Sequence, residues 1–212
     1  MASTVMKIEQ LATAAAGILA KDPLRWADFL SCASGIYLYP FQDQLLIYAQ
    51  RPNATACASM EIWNRRMNCR IRRGAVGIAL IDDTQGSRRK LRYVFDVSDT
   101  WPMPEIGRKP NLWVLPDERA WEIGTWMQSE FMLENRTDEP DSLPAVIREY
   151  VLEQTDTMLN DLWHDLMQVS EGSRIAGRSE EEQKKRLRNV IISSAEFIWF
   201  NSIANTFNIG VR

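Results

Sequence analysis

Four prolines within the seventeen residues from Thr100 to Pro116 divide this 212-residue chain into two parts. Proline fixes φ and lacks a backbone N–H, so this density excludes a regular helix or a central strand. Before this stretch the hydrophobic periodicity changes from helical to alternating, and after it the periodicity is helical. We therefore predict an α+β domain over residues 1–103, a connector over 104–116 and an all-helical segment over 117–212.

Helices occupy the first half of the predicted α+β domain. Asp22 followed by Pro23 is a typical helix start, Gly35 is a typical helix end, and Ser59 caps a short helix. Alternating or continuous apolar residues then predict three strands at "CRIRR", "VGIALI" and "KLRYVFDV", with a turn over residues 82–88. The predicted architecture is a set of N-terminal helices packed on a small, largely antiparallel three-stranded sheet.

Charge is distributed unevenly between the two parts of the chain. Residues 1–115 contain 15 Lys and Arg against 10 Asp and Glu, a net charge of +5. Residues 116–212 contain 10 against 18, a net charge of −8, so the overall charge of −3 conceals a basic first part. Such asymmetry is typical of proteins that bind a charged partner.

The basic residues concentrate between Trp63 and Arg92. This stretch contains nine of them, and its only acidic residues are Asp82 and Asp83. Eight of the nine are arginine, whose planar guanidinium matches phosphate and stacks on bases. Two aromatic residues, Trp63 and Tyr93, lie close in sequence, and a basic groove with aromatic rings is how single-stranded nucleic acid is held. The candidate DNA-binding residues from this pattern are Arg65, Arg66, Arg70, Arg72, Arg73, Arg88, Arg89, Lys90, Arg92, Trp63 and Tyr93.

The same charges have a second interpretation that the local pattern leaves open. Arginines on a strand commonly form a solvated face or protect a sheet edge from pairing with another chain. No strict nucleic-acid-binding motif is present to decide between a binding surface and a solvated face.

Several chemical functions are disfavoured by what the sequence lacks. It has no phosphate-binding P-loop motif, and its single histidine, His164, cannot supply a catalytic triad or a zinc site without suitable neighbours. Cys32, Cys57 and Cys69 are too dispersed to form a zinc site and indicate a reducing, cytoplasmic environment. No run approaches the ~18 apolar residues of a membrane span. We predict no enzymatic activity, no metal site, no cofactor and no membrane association.

A longer stretch, "YPFQDQLLIYAQRPNATACASMEIWNRRMNCRIRRGAVGIALID" followed by "LRYVFDVSDT", resembles the N-terminal single-stranded-DNA-binding domain of ArdC-type antirestriction proteins. It is most similar to the copies that open large helicase and DNA-methylase polypeptides of bacterial conjugative and other mobile elements. The resemblance covers roughly residues 5–100. It adds Gln44 and Gln50 to the candidate DNA contacts, and marks Trp63, each of which could instead be a structural hydrogen bonder. The other positions matching the family pattern are Leu45, Leu46, Pro52, Ala54, Gly74, Gly77, Phe95 and Asp96.

The chain departs from that family pattern in three places. Asp43 stands where the family commonly has Asn, and a carboxylate there would repel phosphate if it faced DNA. Val76 occupies a position that is often basic, and "MNCRIRRG" lacks the usual glycine before the basic strand. The metalloprotease half of ArdC proteins, with its zinc-binding motif, has no counterpart.

The resemblance implies a non-catalytic single-stranded-DNA-binding module of a mobile-element protein. Its implied partners are single-stranded DNA and the helicase or methylase segments of the same longer polypeptide. An alternative follows from the acidic helical segment, which could present a DNA-like negative surface to a host enzyme and so act as a protein-interaction or antirestriction module.

Overall fold

The structure, a computed structural model, describes residues 2–82, 89–103, 117–133, 143–169 and 175–208. It is an α+β structure, as predicted, with a small, largely antiparallel sheet preceded by helices and followed by a helical segment. The chain separates into two compact units, Met1–Trp113 and Val114–Arg212. The predicted connector over residues 104–116 lies outside the described residues.

Helices and strands alternate irregularly in the first unit. Its helices are α1 (Ala2–Leu19), α2 (Pro23–Gly35), α3 (Phe41–Gln50) and α4 (Met60–Arg65), with a 3₁₀ turn at Val97–Asp99. Its strands are β1 (Cys57–Ala58), β2 (Cys69–Ile71), β3 (Ile78–Asp82), β4 (Lys90–Asp96) and β5 (Thr100–Pro102). The second unit contains α5 (Asp117–Glu130), α6 (Leu143–Val169) and α7 (Glu180–Asn208).

The predicted helix boundaries are confirmed by their capping bonds. The Asp22 side chain accepts hydrogen bonds from the backbone N–H groups of Leu24 and Arg25, at 2.9 and 3.3 Å, just before Pro23 begins α2. Ser59 caps α4 by accepting from the Ile62 N–H at 3.3 Å. These side chains replace the intrahelical acceptors that the first turn of a helix lacks.

Gly35 ends α2 for a reason that the sequence alone did not reveal. A Cβ atom at this position would lie 2.3 Å from the Thr55 carbonyl oxygen, so only glycine allows the helix end to approach that loop. Gly74 lies in the turn after β2, and its φ of +88° is in the left-handed region that glycine adopts most readily.

Membership of the three-stranded sheet differs from the prediction. Its order is β1-β4-β3, and every neighbouring pair is antiparallel. The "CRIRR" segment is not part of it, because β2 pairs instead with β5 in a separate two-stranded antiparallel sheet, here called the β2–β5 ribbon. The two-residue β1 is too short to show any periodicity. Strand β5 begins within the proline-rich stretch and ends at Pro102, and a proline there argues against a strand in the sequence. The predicted turn over residues 82–88 is described only at Asp82, where β3 ends.

Helix α3 forms the link between helices and sheet. It packs against α1, α2 and β3, and its Leu46 and Ile47 are completely buried. Phe29 of α2 meets the rings of Phe41 and Tyr48 edge-on, at centroid distances of 5.8 and 5.6 Å. This aromatic and aliphatic core holds α2 and α3 in a fixed position relative to β3.

In the second unit, α6 packs against both α5 and α7. The core formed there includes Val146, Ile147 and Val151 of α6 with Met127 of α5 and Ile192 of α7. Ser179 caps the last helix by accepting from the Glu182 N–H at 3.3 Å. None of the described helices is both long enough and apolar enough to span a lipid bilayer.

Candidate nucleic-acid interface

Arginines in and beside β2 form the more open of two basic groups in the first unit. Four of them are exposed and have no carboxylate partner in the described part of the chain; we call them the ribbon arginines, Arg66, Arg70, Arg72 and Arg73. Only the Arg72 guanidinium has a described hydrogen bond, from Nε to the Thr100 carbonyl oxygen at 3.1 Å. The neighbouring Arg65 differs from them, because it pairs with Glu61 one turn earlier in α4, at 2.8 Å.

The second basic group, the β4 cations, comprises Arg89, Lys90 and Arg92. Arg89 forms an ion pair with Glu9 of α1, and Arg92 forms one with Asp43 of α3. The Arg92 guanidinium also lies over the Tyr39 ring, 6.0 Å from its centroid. Carboxylates therefore neutralise much of the charge that the sequence counts at this strand. Arg88, another candidate, lies outside the described residues.

The surroundings of Asp43 account for a carboxylate at this position, which was one of the three departures from the family pattern. The residue is only 7% exposed and its carboxylate is paired with Arg92, so it does not face solvent as a repulsive charge. A buried carboxylate requires such a partner because desolvation is otherwise costly. Asp43 and Arg92 thus form a matched pair in this chain.

Trp63 is a core residue and not a stacking surface in this structure. The residue is 1% exposed and packs with Ala58 and Cys69. Its indole Nε1–H donates to the Phe95 carbonyl oxygen at 2.8 Å, which ties α4 to β4. The predicted base contact by Trp63 is therefore wrong for this conformation, because no face of the ring is open to a base.

The two candidate glutamines are structural hydrogen bonders. Gln50 clamps the free edge of β3: its Nε2 donates to the Ala79 carbonyl and its Oε1 accepts from the Ala79 N–H, both at 2.9 Å. Gln44 donates to the Tyr39 carbonyl at 2.7 Å and orders the loop before α3. The amide groups that a DNA contact would need are engaged with backbone.

Tyr93 and Arg92 lie on opposite faces of β4, as the strand alternation predicted. Tyr93 is 53% exposed, and it shares its face with Phe95, which packs against the Trp63 cluster. Arg92 shares the other face with the buried Val94, next to α3. The structure therefore does not place Tyr93, Arg92 and the ribbon arginines on a single sheet face.

Asp96 fixes the path of the chain from β4 into the ribbon. Its carboxylate accepts from the backbone N–H groups of Thr55 at 2.8 Å and Ala56 at 3.1 Å, and from the Ser98 N–H at 2.9 Å. The residue is 1% exposed, so these bonds are the compensation for burying its charge. They hold the 3₁₀ turn that leads directly into β5.

Trp101 is an exposed aromatic residue outside the set of candidates predicted from the sequence. It lies on β5 directly opposite Arg70 of β2 and is 57% exposed. Its proline-rich surroundings predict a connector, so the sequence carries no signal for a strand at Trp101. A predicted pairing of "TWP" with "CRI" would have shown that Arg70 and Trp101 share one face of a ribbon. The two segments are about thirty residues apart, and no local signal in the sequence indicates that they pair.

The cysteine thiols are kept in their protonated form. Burial raises the pKa of the Cys32 thiol to about 11, and it also raises the pKa of Cys57 and of Cys69. For Cys69 the cause is desolvation, which disfavours the charged thiolate although Arg70 and Arg72 are near in sequence. Within the described ranges, no group of three or more His, Cys, Asp or Glu side chains is arranged to hold a metal ion.

Comparison of the chain with family models, with curated proteins and with solved structures finds no match.

Proposed function

We propose that this chain is a non-catalytic, single-stranded-DNA-binding module of the ArdC-like type, and that it serves a larger mobile-element protein. The observation that carries the proposal is the set of ribbon arginines: four exposed guanidinium groups within eight consecutive residues, with no carboxylate partner among the described residues. Leaving four positive charges together costs folding free energy through mutual repulsion, and an anionic ligand would offset that cost.

Two of the ribbon arginines, Arg70 and Arg72, are carried by hydrogen-bonded backbone. Arg70 lies in β2, which is paired with β5 along its three residues, and Arg72 is fixed at the ribbon end by a backbone bond from its N–H to the Asp99 carbonyl at 2.8 Å. Because the backbone is fixed before a ligand arrives, less conformational entropy is lost on binding. This supports a phosphate-binding surface of defined position.

Titration of a fluorescently labelled oligo-dT with the full chain at two salt concentrations tests the proposal. Three to four phosphate contacts with a single strand should release counterions, so that the logarithm of the association constant falls with the logarithm of salt concentration with a slope of roughly −2 to −3. The dissociation constant should therefore rise about 20- to 50-fold between about 50 and 200 mM salt. No measurable binding at about 50 mM salt would contradict the proposed function.

The alternative, recognition of a host protein through the acidic helical segment, has weaker support. Several described carboxylates of that segment are engaged by its own cations: Glu182 with Arg178 and Arg186, and Asp156 with Arg188. These pairs reduce the negative surface that a DNA mimic requires. Charge reversal at exposed carboxylates such as Glu181 would impair that function and leave DNA binding intact.

A further inference from the structure

The two faces of the β2–β5 ribbon are sharply different. On one face Cys69 is completely buried and Thr100 is 5% exposed. Strand alternation places Arg70 and its cross-strand partner Trp101 on the other face, towards solvent. Directly opposed residues in an antiparallel pair have Cβ atoms about 5 Å apart, so the two side chains leave the ribbon from adjacent positions on its exposed face.

Nothing in the described part of the chain accounts for the exposure of Trp101. Tryptophan side chains normally contribute to stability by burying a large apolar area, yet this residue is 57% exposed. No contact between its ring and another ring or cation occurs among the described residues. Trp63, in contrast, is buried and uses its indole N–H within the core.

We propose that Trp101 is the platform on which a base of single-stranded DNA stacks, with Arg70 holding an adjacent phosphate. The inference rests on the proposed function and adds the residue that binds the base. Stacking on an aromatic ring is tolerant of sequence because every base has a π-face, so this site would bind with little base preference. Tyr93, the exposed ring that sequence suggested, belongs to a different sheet and becomes a secondary candidate.

The test uses two single-stranded ligands of equal length and charge, an oligo-dT of about twelve nucleotides and an abasic oligodeoxynucleotide that has no bases. Wild-type protein and Trp101→Ala are titrated with both, and Trp121→Ala is the control. Trp121 is 62% exposed on α5 of the second unit, so its removal deletes a comparably exposed indole that is not part of the ribbon. Circular dichroism and thermal unfolding confirm that the variants are folded.

We expect Trp101→Ala to weaken oligo-dT binding about tenfold and to leave binding of the abasic ligand unchanged. The salt dependence of its oligo-dT affinity should equal that of the wild type, since no phosphate contact is lost. In contrast, Arg70→Ala should reduce the magnitude of the slope of log association constant against log salt by about 0.7. Trp101→Phe, which keeps a ring, should recover part of the affinity. Trp121→Ala should behave as wild type.

Three results would overturn the inference while leaving the proposed function in place. They are an unchanged affinity of Trp101→Ala for oligo-dT, an equal loss on both ligands, and a wild type that binds both ligands equally well. If Tyr93→Ala shows the base-dependent loss instead, the stacking residue is Tyr93 and the inference fails. A wild-type chain that binds neither ligand would refute the proposed function itself.

Discussion

The ribbon arginines and the β4 cations are similar in number and in charge, but they differ in what surrounds them. Arg89 and Arg92 are paired with Glu9 and Asp43 from the helices packed nearby, whereas the ribbon arginines have no such partner in the described residues. A count of charges along the sequence treats the two groups as equal. The folded chain makes one group part of the scaffold and leaves the other available to a ligand.

The largest expected difference concerns DNA affinity. Replacing Arg66, Arg70 and Arg73 with alanine removes three exposed guanidinium groups that have no described hydrogen bond. We expect the triple variant to bind oligo-dT on the order of 100-fold more weakly at low salt. Each lost charge-assisted contact to phosphate reduces the binding free energy by about 1–3 kcal/mol, and the three losses are not fully additive. Fluorescence anisotropy measures the loss.

A charge-matched variant controls for nonspecific electrostatics. Lys21, Arg119 and Lys185 are exposed and lie outside both basic groups, so replacing them with alanine lowers the net charge by the same amount. The expected affinity change is less than threefold, since a cation that makes no phosphate contact affects binding only through the screened field of the whole protein. An equal loss in both variants would show that net charge, and not the ribbon, determines binding.

The next effect concerns stability and Gln50. Gln50→Ala removes both bonds to Ala79 and leaves the β3 edge without these partners. We expect the free energy of unfolding to fall by about 2–3 kcal/mol, measured by urea denaturation, with the DNA affinity of the folded protein unchanged. Gln42, exposed on the same helix, provides the control, and Gln42→Ala should change stability by less than about 0.5 kcal/mol. A DNA-specific loss in Gln50→Ala without destabilisation would restore Gln50 as a DNA contact.

The Arg92–Asp43 pair tests whether a β4 cation is structural. Arg92→Ala removes the ionic partner of a largely buried carboxylate, so we expect the free energy of unfolding to fall by about 1–3 kcal/mol. The additional substitution Asp43→Asn removes the negative charge and should recover most of that loss. A double variant no more stable than Arg92→Ala would contradict the pairing.

The smallest effect comes from Asp43→Asn alone. With the carboxylate neutralised, the half-exposed Arg92 gains net positive potential, and we expect oligo-dT affinity at low salt to rise about two- to threefold. The gain should disappear when Arg92 is also replaced. An unchanged affinity would mean that this part of β4 lies away from the bound strand.

Local signals in the sequence predicted most of the helices, because caps such as Asp22 and Ser59 act within three residues. Alternation along β4 also correctly separated Tyr93 from Arg92. Pairing partners were less accessible, since β1 has two residues and β5 contains a proline, and neither displays a period. For this reason β2 was assigned to the wrong sheet.

The candidate site was predictable as a composition but not as a geometry. Arginine enrichment near β2 was evident, whereas the neutralising contacts Glu9–Arg89 and Asp43–Arg92 join residues 80 and 49 positions apart. The burial of Trp63 and the exposure of Trp101 were likewise not predictable, because burial depends on tertiary packing that a single aromatic residue in a sequence does not reveal.

The most direct test of the account compares the salt dependence of oligo-dT binding in two variants, Arg66→Ala/Arg70→Ala/Arg73→Ala and Arg89→Ala/Arg92→Ala. If DNA binds through the ribbon arginines, the plot of log association constant against log salt should become shallower in both variants. The magnitude of its slope should decrease by about 2 in the first variant and by less than about 0.5 in the second. A larger decrease in the second variant, or equal decreases for each charge removed, would contradict the assignment of binding to the ribbon.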